Sequence, residues 1–241
     1  MIQTSKRSIL SLITKTLTVP KIHQPFQTNR IVSKYHQTNL FSASALQHNN
    51  NKSPFESNLV RMLTNEIEFE SDYAPPHQPD KIFNAFMVED RPGEQFVTLR
   101  GRSTINENIK IEATMFDGYA IVSPNSRGEE TEPNTQLHIS LLVDISKGEG
   151  GDMLEFVCSA WPERFEIQKV YVIGPDRTFT LPYMGPDFRV LNKRFQMALY
   201  DFLNARGVND DLSIFLHRYV WNKDKKEHIQ SLKLLKSYVE G

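Results

Sequence analysis

Residues 183–208, YMGPDFRVLNKRFQMALYDFLNARGV, read as a turn, a helix and a stop. Gly185 and Pro186 end an extended region, Asp187 or Asn192 can cap, and Leu191, Phe195, Ala198, Leu199 and Phe202 recur on one helical face. Gly207 after Arg206 supplies the left-handed residue that ends such a helix. A second helix is expected from Asp210, with Leu212, Phe215, Leu216 and Tyr219 on its apolar stripe. A third is expected to carry Ile229, Leu232, Leu235 and Val239.

Upstream of this stretch the hydrophobic period changes from 3.6 to two. From 81 to 173 the segments IFNAFMVED, EQFVTLRGR, NIKIEATMF, TQLHISLLVDI, MLEFVCSAW and FEIQKVYVI are rich in β-branched and aromatic residues, the mark of strands. Six strands are therefore expected, with a seventh within 118–123 or 177–181. Arg91-Pro92-Gly93 and Lys147-Gly148-Glu149-Gly150-Gly151 stand where hairpin turns belong, and short connections imply an antiparallel meander. The polar segment PNSRGEETEP, 124–133, reads as a long exposed loop.

Ahead of the strands, Ser53-Pro54-Phe55-Glu56 forms a capping-box pattern, and Leu59, Met62, Leu63, Glu66 and Ile67 follow a helical period. Pro75, Pro76 and Pro79 separate that helix from the sheet. The order is helix, meander, helices. A sheet has two faces, so helices from both ends of the chain can cover one while pairing with each other, leaving the second wet or against another subunit.

The first 55 residues contain no Asp or Glu but carry Lys6, Arg7, Lys15, Lys21, Arg30, Lys34 and Lys52. Ile9, Ile13 and Leu17 recur at helical spacing, and Ser8, Ser11 and Lys15 line another face, as in a basic amphipathic mitochondrial presequence. Residues 1–51 are therefore expected to be a transit peptide, cleaved somewhere in 31–52, ahead of one domain spanning 52–241. Ser11, Thr14 and Lys15 break any continuous secretory apolar core. Setting the seven basic residues aside leaves 21 basic against 29 acidic, a net charge near −8 before histidine. Such a chain attracts basic partners and repels free nucleic acid. The single cysteine, Cys158, excludes an intrachain disulfide, and no apolar run is long enough to span a bilayer.

Catalytic chemistry finds little support. His77, His138, His217 and His228 lie at no metal-ligand spacing, so no metal or cofactor is expected. Gly148, Gly150 and Gly151 precede a strand rather than the helix a phosphate cradle needs. Asp176 and Asp187 fit turn and cap roles, and Cys158, beside Phe156 and Val157, fits packing. Lys223, Lys225 and Lys226 form a basic patch too small and too poor in aromatics for nucleic-acid recognition. Glu66, Glu68, Glu70 and Asp72 gather negative charge at a helix end where the dipole disfavours it. That cluster is either a solvated, frayed end or a partner-binding site.

The C-terminal pattern, with Tyr183, Gly185 and Pro186, then Leu191 and Gln196, then Arg206-Gly207-Val208, then Lys226-Glu227-His228-Ile229 and Leu232, resembles the signature of the mitochondrial glycoprotein family, the acidic proteins of the mitochondrial matrix. FMVEDRPGEQFVTLRGR is similar to that family's first hairpin. The resemblance implies an α+β fold, a seven-stranded antiparallel sheet with one N-terminal and two C-terminal helices, and a ring-shaped homotrimer without catalytic residues. The residues themselves allow two to three C-terminal helices. It also implies a non-enzymatic matrix scaffold or chaperone that binds basic partners, ribosomal or respiratory-assembly proteins among them, and supports mitochondrial translation and oxidative phosphorylation. Strongly acidic family members carry a long acidic loop; here it is reduced to Glu129, Glu130 and Glu132. A different class also fits the element order: a curved sheet closed by a long C-terminal helix can hold a lipid or small apolar ligand in helix-grip fashion.

Overall fold

The computed structural model describes residues 53–72, 80–122, 134–148, 150–175 and 183–241. Helix α1 (Pro54–Asp72) opens on the expected reciprocal cap. The Ser53 N–H donates to Glu56 Oε2 at 2.7 Å and the Glu56 N–H to Ser53 Oγ at 3.2 Å, so two otherwise orphaned donors are satisfied. The expected presequence and loop (124–133), Pro75, Pro76 and Pro79, His77 and Asp176 fall outside the described residues.

Seven strands follow: β1 (Ile82–Phe83), β2 (Phe86–Glu89), β3 (Phe96–Arg102), β4 (Asn108–Val122), β5 (Asn134–Ser146), β6 (Met153–Trp161) and β7 (Arg164–Ile173). They form one antiparallel sheet in strictly sequential order. Two boundaries differ from expectation. The segment IFNAFMVED is two strands, because Asn84 turns the chain with φ +51° and Phe83 then pairs with Phe86. Asn is one of the few non-glycine residues that tolerates this region. Residues 118–122 are no separate strand but the continuation of β4, and 177–181 fall outside the described residues.

After a short 3-10 turn (Phe188–Val190), helix α2 (Lys193–Asn204) and helix α3 (Asp210–Glu240) complete the chain. Both proposed caps are used: Asp187 accepts the Arg189 N–H and Asn192 accepts the Arg194 N–H, each at 2.9 Å. The expected second and third C-terminal helices are one. No Gly or Pro interrupts 210–240, so the polar run Asn222-Lys223-Asp224-Lys225-Lys226 is a change of surroundings and not a break.

One face of the sheet and both C-terminal helices share a single core, in which Leu99, Ile111, Leu141 and Phe156 meet Leu203, Leu212 and Leu216. Of the expected stripe, Leu191, Leu199 and Phe202 pack partly buried against the core, but the fully buried positions of α2 are Gln196 and Leu203, while Phe195 is 52 % exposed and Ala198 is outside. The opposite sheet face carries a row of registered polar side chains, Arg100, Lys110, Asp144, Glu155 and Tyr171. Opposite charges interleave there: Lys110 Nζ lies 2.8 Å from Glu112 and 3.6 Å from Asp144, and the Tyr171 hydroxyl donates to Glu155.

Candidate protein-interaction surface

The C-terminal motif residues form the joints between helices and sheet. Gly185 adopts φ +70°, and a Cβ there would stand 2.6 Å from the Val170 carbonyl oxygen. Backbone therefore lies directly on β7 where only glycine fits. Gln196, buried near the start of α2, donates through Nε2 to the Leu191 carbonyl at 2.8 Å and to that of Arg189 at 3.2 Å. It ties the helix to the 3-10 turn and capping segment before it. Leu191 packs partly buried against the core, whereas Pro186 is exposed and Tyr183 is 81 % exposed.

Arg206 occupies the α2–α3 corner. Its Nε donates to Glu107 Oε2 at 2.7 Å, with side-chain exposures of 10 % and 2 %, and its guanidinium lies 3.5 Å from the centre of the Phe202 ring. A second donor reaches the Phe202 carbonyl. The hydrogen bond from Arg206, followed by its charge, holds the Glu107 carboxyl below the ordinary carboxylate range against the opposing effect of burial. Gly207 follows with φ +76°, as expected of the stop. Arg206 and Gly207 thus lock the helical corner onto the β3–β4 hairpin.

A second joint escapes sequence reading. Lys223 is buried; its Nζ donates to Asp90 Oδ1 at 2.6 Å, to the Arg91 carbonyl at 2.9 Å and to Glu227 at 3.2 Å. Glu227 also accepts the Gly93 N–H, and the Tyr219 hydroxyl donates to Asp90 Oδ2 at 3.2 Å. Burial, with the Asp90 charge beside it, pushes the Tyr219 hydroxyl up to about 12. The β2–β3 turn is thereby clamped to the middle of α3. The run Asp90-Arg91-Pro92-Gly93 marks the turn, but nothing local couples it to a lysine far along the chain. The expected basic patch is accordingly dismantled: Lys223 is neutralised here, and Lys225 Nζ reaches Glu70 Oε2 of α1 at 2.7 Å.

The acidic cluster on α1 divides. Glu70 is half of that inter-helix pair, and the hydrogen bond from Lys225 lowers its proton affinity. Glu66, Glu68 and Asp72 are exposed, in company with the exposed ring of Phe69. Glu129, Glu130 and Glu132 lie outside the described residues. Cys158 is buried in the core, which pushes its thiol well above the ordinary value. His217 faces the Ala160 carbonyl at 3.2 Å and His138 bonds Asp117 at 2.7 Å. Among the described residues no three His, Cys, Asp or Glu side chains are grouped to hold a metal ion, and no helix is long and apolar enough to cross a membrane.

Comparison with known proteins gives a consistent result. The model of a family described as mitochondrial glycoprotein matches residues 63–239. An uncharacterised mitochondrial protein of Arabidopsis thaliana is 30 % identical over 196 residues, covering 77 % of this chain and 75 % of its own. The mitochondrial acidic protein mam33 of Schizosaccharomyces pombe is 24 % identical over 220 residues, covering 76 % and 78 %. Among solved structures, the Trypanosoma brucei p22 protein aligns with a TM-score of 0.60 at 23 % identity, over 78 % of this chain and all of that one. A Leishmania major protein described as a sequence homologue of human p32 aligns at 0.57 with 13 % identity, over 77 % and 99 %. At these identities the two structures establish the shared fold alone.

Proposed function

We propose, from the premise that this chain belongs to the mitochondrial glycoprotein family, that it is an acidic scaffold or chaperone of the mitochondrial matrix that captures basic partner proteins. The protein is mitochondrial and non-enzymatic. In this reading it supports mitochondrial ribosome function, translation and oxidative phosphorylation, and three copies close into a ring. Residues 1–51 serve as the transit peptide and 52–241 remain as the working domain.

The observation that carries the reading is the family match across 63–239, joined to where the acid sits. The helix-free sheet face interleaves opposite charges, whereas Glu66, Glu68 and Asp72 on α1 are exposed. These three, with Glu129, Glu130 and Glu132, are the proposed contact for basic proteins; Glu70 serves the helix pair instead. Recognition is of protein rather than nucleic acid, since two of the three lysines of the basic patch, Lys223 and Lys225, are engaged in ion pairs. Capture by surface charge is screened by salt and works by steering and many weak contacts. The ground between helices and sheet is filled by fully buried Phe156, Leu203, Leu212 and Leu216, so no observation favours a helix-grip ligand site.

Two measurements test this. Light scattering coupled to gel filtration on the chain from Lys52 should give three times the chain mass, and a monomer would remove the ring. Capture of basic matrix proteins should fall as salt is raised from 50 to 500 mM, which shortens the Debye length about threefold. Salt-insensitive capture would remove the electrostatic mechanism while leaving the ring untouched.

A further inference from the structure

The β4–β5 ladder outruns its neighbours. Among the described residues β3 leaves β4 at Thr114 and β6 leaves β5 at Ile139, so 118–122 and 134–138 pair only with each other. The outcome is a two-stranded ribbon with Tyr119 and Ile121 bare on one side, at 63 % and 58 % exposure. A ribbon of this kind has little stability of its own. Its attitude depends on whatever fixes its root.

That root is unlike the rest of the sheet. The ladder is irregular on both sides of Phe116, between Ala113 and Phe116 and between Phe116 and Gly118. Across this break His138 Nδ1 meets Asp117 Oδ1 at 2.7 Å. Asp117 is itself moored to the regular sheet: its Oδ2 accepts the Thr114 hydroxyl at 3.0 Å, and Thr114 Oγ1 accepts the Ser140 N–H at 3.0 Å. The His138 ring lies over Gly118, where an added Cβ would stand 3.6 Å from Nδ1, and against Trp161 at 4.7 Å between ring centres.

We propose that the Asp117–His138 bond is a proton-sensitive latch that fixes the ribbon, and with it the exposed Tyr119–Ile121 edge, against the sheet. With the imidazole protonated the bond joins opposite charges; with it neutral the same donor makes a weaker bond. Asp117 stays a carboxylate in both cases, so losing the imidazolium charge removes the ion-pair attraction and leaves a single-charge hydrogen bond, and imidazole is the side chain that changes charge between about pH 5 and 8. The titratable and charged groups around the latch are Asp117 on β4, His217 on α3, and Arg164 and Glu166 on β7, the last two reached through Trp161. Burial raises the proton affinity of the Asp117 carboxyl, but the hydrogen bonds from His138, Ser140 and Thr114 outweigh it and hold the group below the ordinary carboxylate range.

Hydrogen exchange on the full-length chain between pH 5.5 and 8, corrected for intrinsic rates, tests the latch. Protection of amides 118–122 and 135–138, relative to 141–145 in the same molecule, should fall roughly three- to tenfold as pH rises. Asp117→Asn and His138→Gln should each flatten that dependence, and His217→Gln should keep it. A wild-type ribbon whose protection follows the core at every pH overturns the proposal. So does a dependence that survives Asp117→Asn or vanishes in His217→Gln. If the first two variants fail to fold, NMR titration of the wild-type ring decides: His138 and the ribbon amides must share one midpoint, and separate midpoints overturn the latch.

Discussion

The two halves of α3 are one uninterrupted helix in opposite circumstances. Its first half, as far as Lys223, contains every buried residue of the helix, from Leu212 through Leu216 and Val220. Its second half lies beside α1, tied to it by the Lys225–Glu70 pair, and leaves Leu234 at 61 % and Tyr238 at 86 % exposure. Backbone hydrogen bonding is equally available to both. What differs is surroundings: a sheet removes far more apolar surface from water than a single neighbouring helix can.

The sharpest way to break that comparison is at the boundary between the halves. Lys223→Ala would leave Asp90 without its cation and the Arg91 carbonyl with only the Glu94 N–H, so a loss of about 3 kcal/mol is expected in urea denaturation. A loss below roughly 1 kcal/mol would mean water replaces the ammonium and the clamp is not structural. Within the seated half, Leu216→Ala should cost about 3 kcal/mol through lost burial and a residual cavity. Leu234→Ala in the exposed half should stay within about 0.5 kcal/mol. Equal costs for the two leucines would show that the second half is covered by another chain in solution.

Smaller effects sharpen the picture at the joints. Gly185→Ala combines a positive φ with a Cβ driven into the Val170 carbonyl, and about 1–3 kcal/mol should be lost. Retention of full stability would show that the segment can lift from β7. His217 provides a pH test. Burial lowers its proton affinity in the folded state, so its contribution is complete above the ordinary imidazole value of 6.5 and is lost as pH falls from there toward the folded value. The wild-type midpoint should therefore drop on acidification below that value, and the drop should shrink in His217→Gln. Least of all, Lys225→Ala should lower the thermal midpoint only slightly in moderate salt, because the pair, with side chains 25 % and 15 % exposed, is partly screened.

Much of this was legible because it is local. The cap at Ser53 and Glu56, the Asn192 cap, the Gly207 stop and the period-two strands each rest on residues a few positions apart. The errors came where local pattern and surroundings part. The polar run after Tyr219 resembles a break only because α3 changes environment there, and on α2 a position as buried as Leu203 is held by Gln196, bonded back to the preceding turn, which an apolar pattern does not mark. IFNAFMVED holds two strands because a turn can sit on one Asn without a Gly or Pro to announce it.

By itself, then, the sequence determined the helix–meander–helix order, the antiparallel sense and the family resemblance, since periodicity, capping and short connections act over a few residues. Only the tertiary structure decided which charges are spent. Arg206 on Glu107, Lys223 on Asp90, Lys225 on Glu70 and His138 on Asp117 are separated by 99, 133, 155 and 21 residues. A charge has no sequence period, and its partner is fixed by how the elements pack.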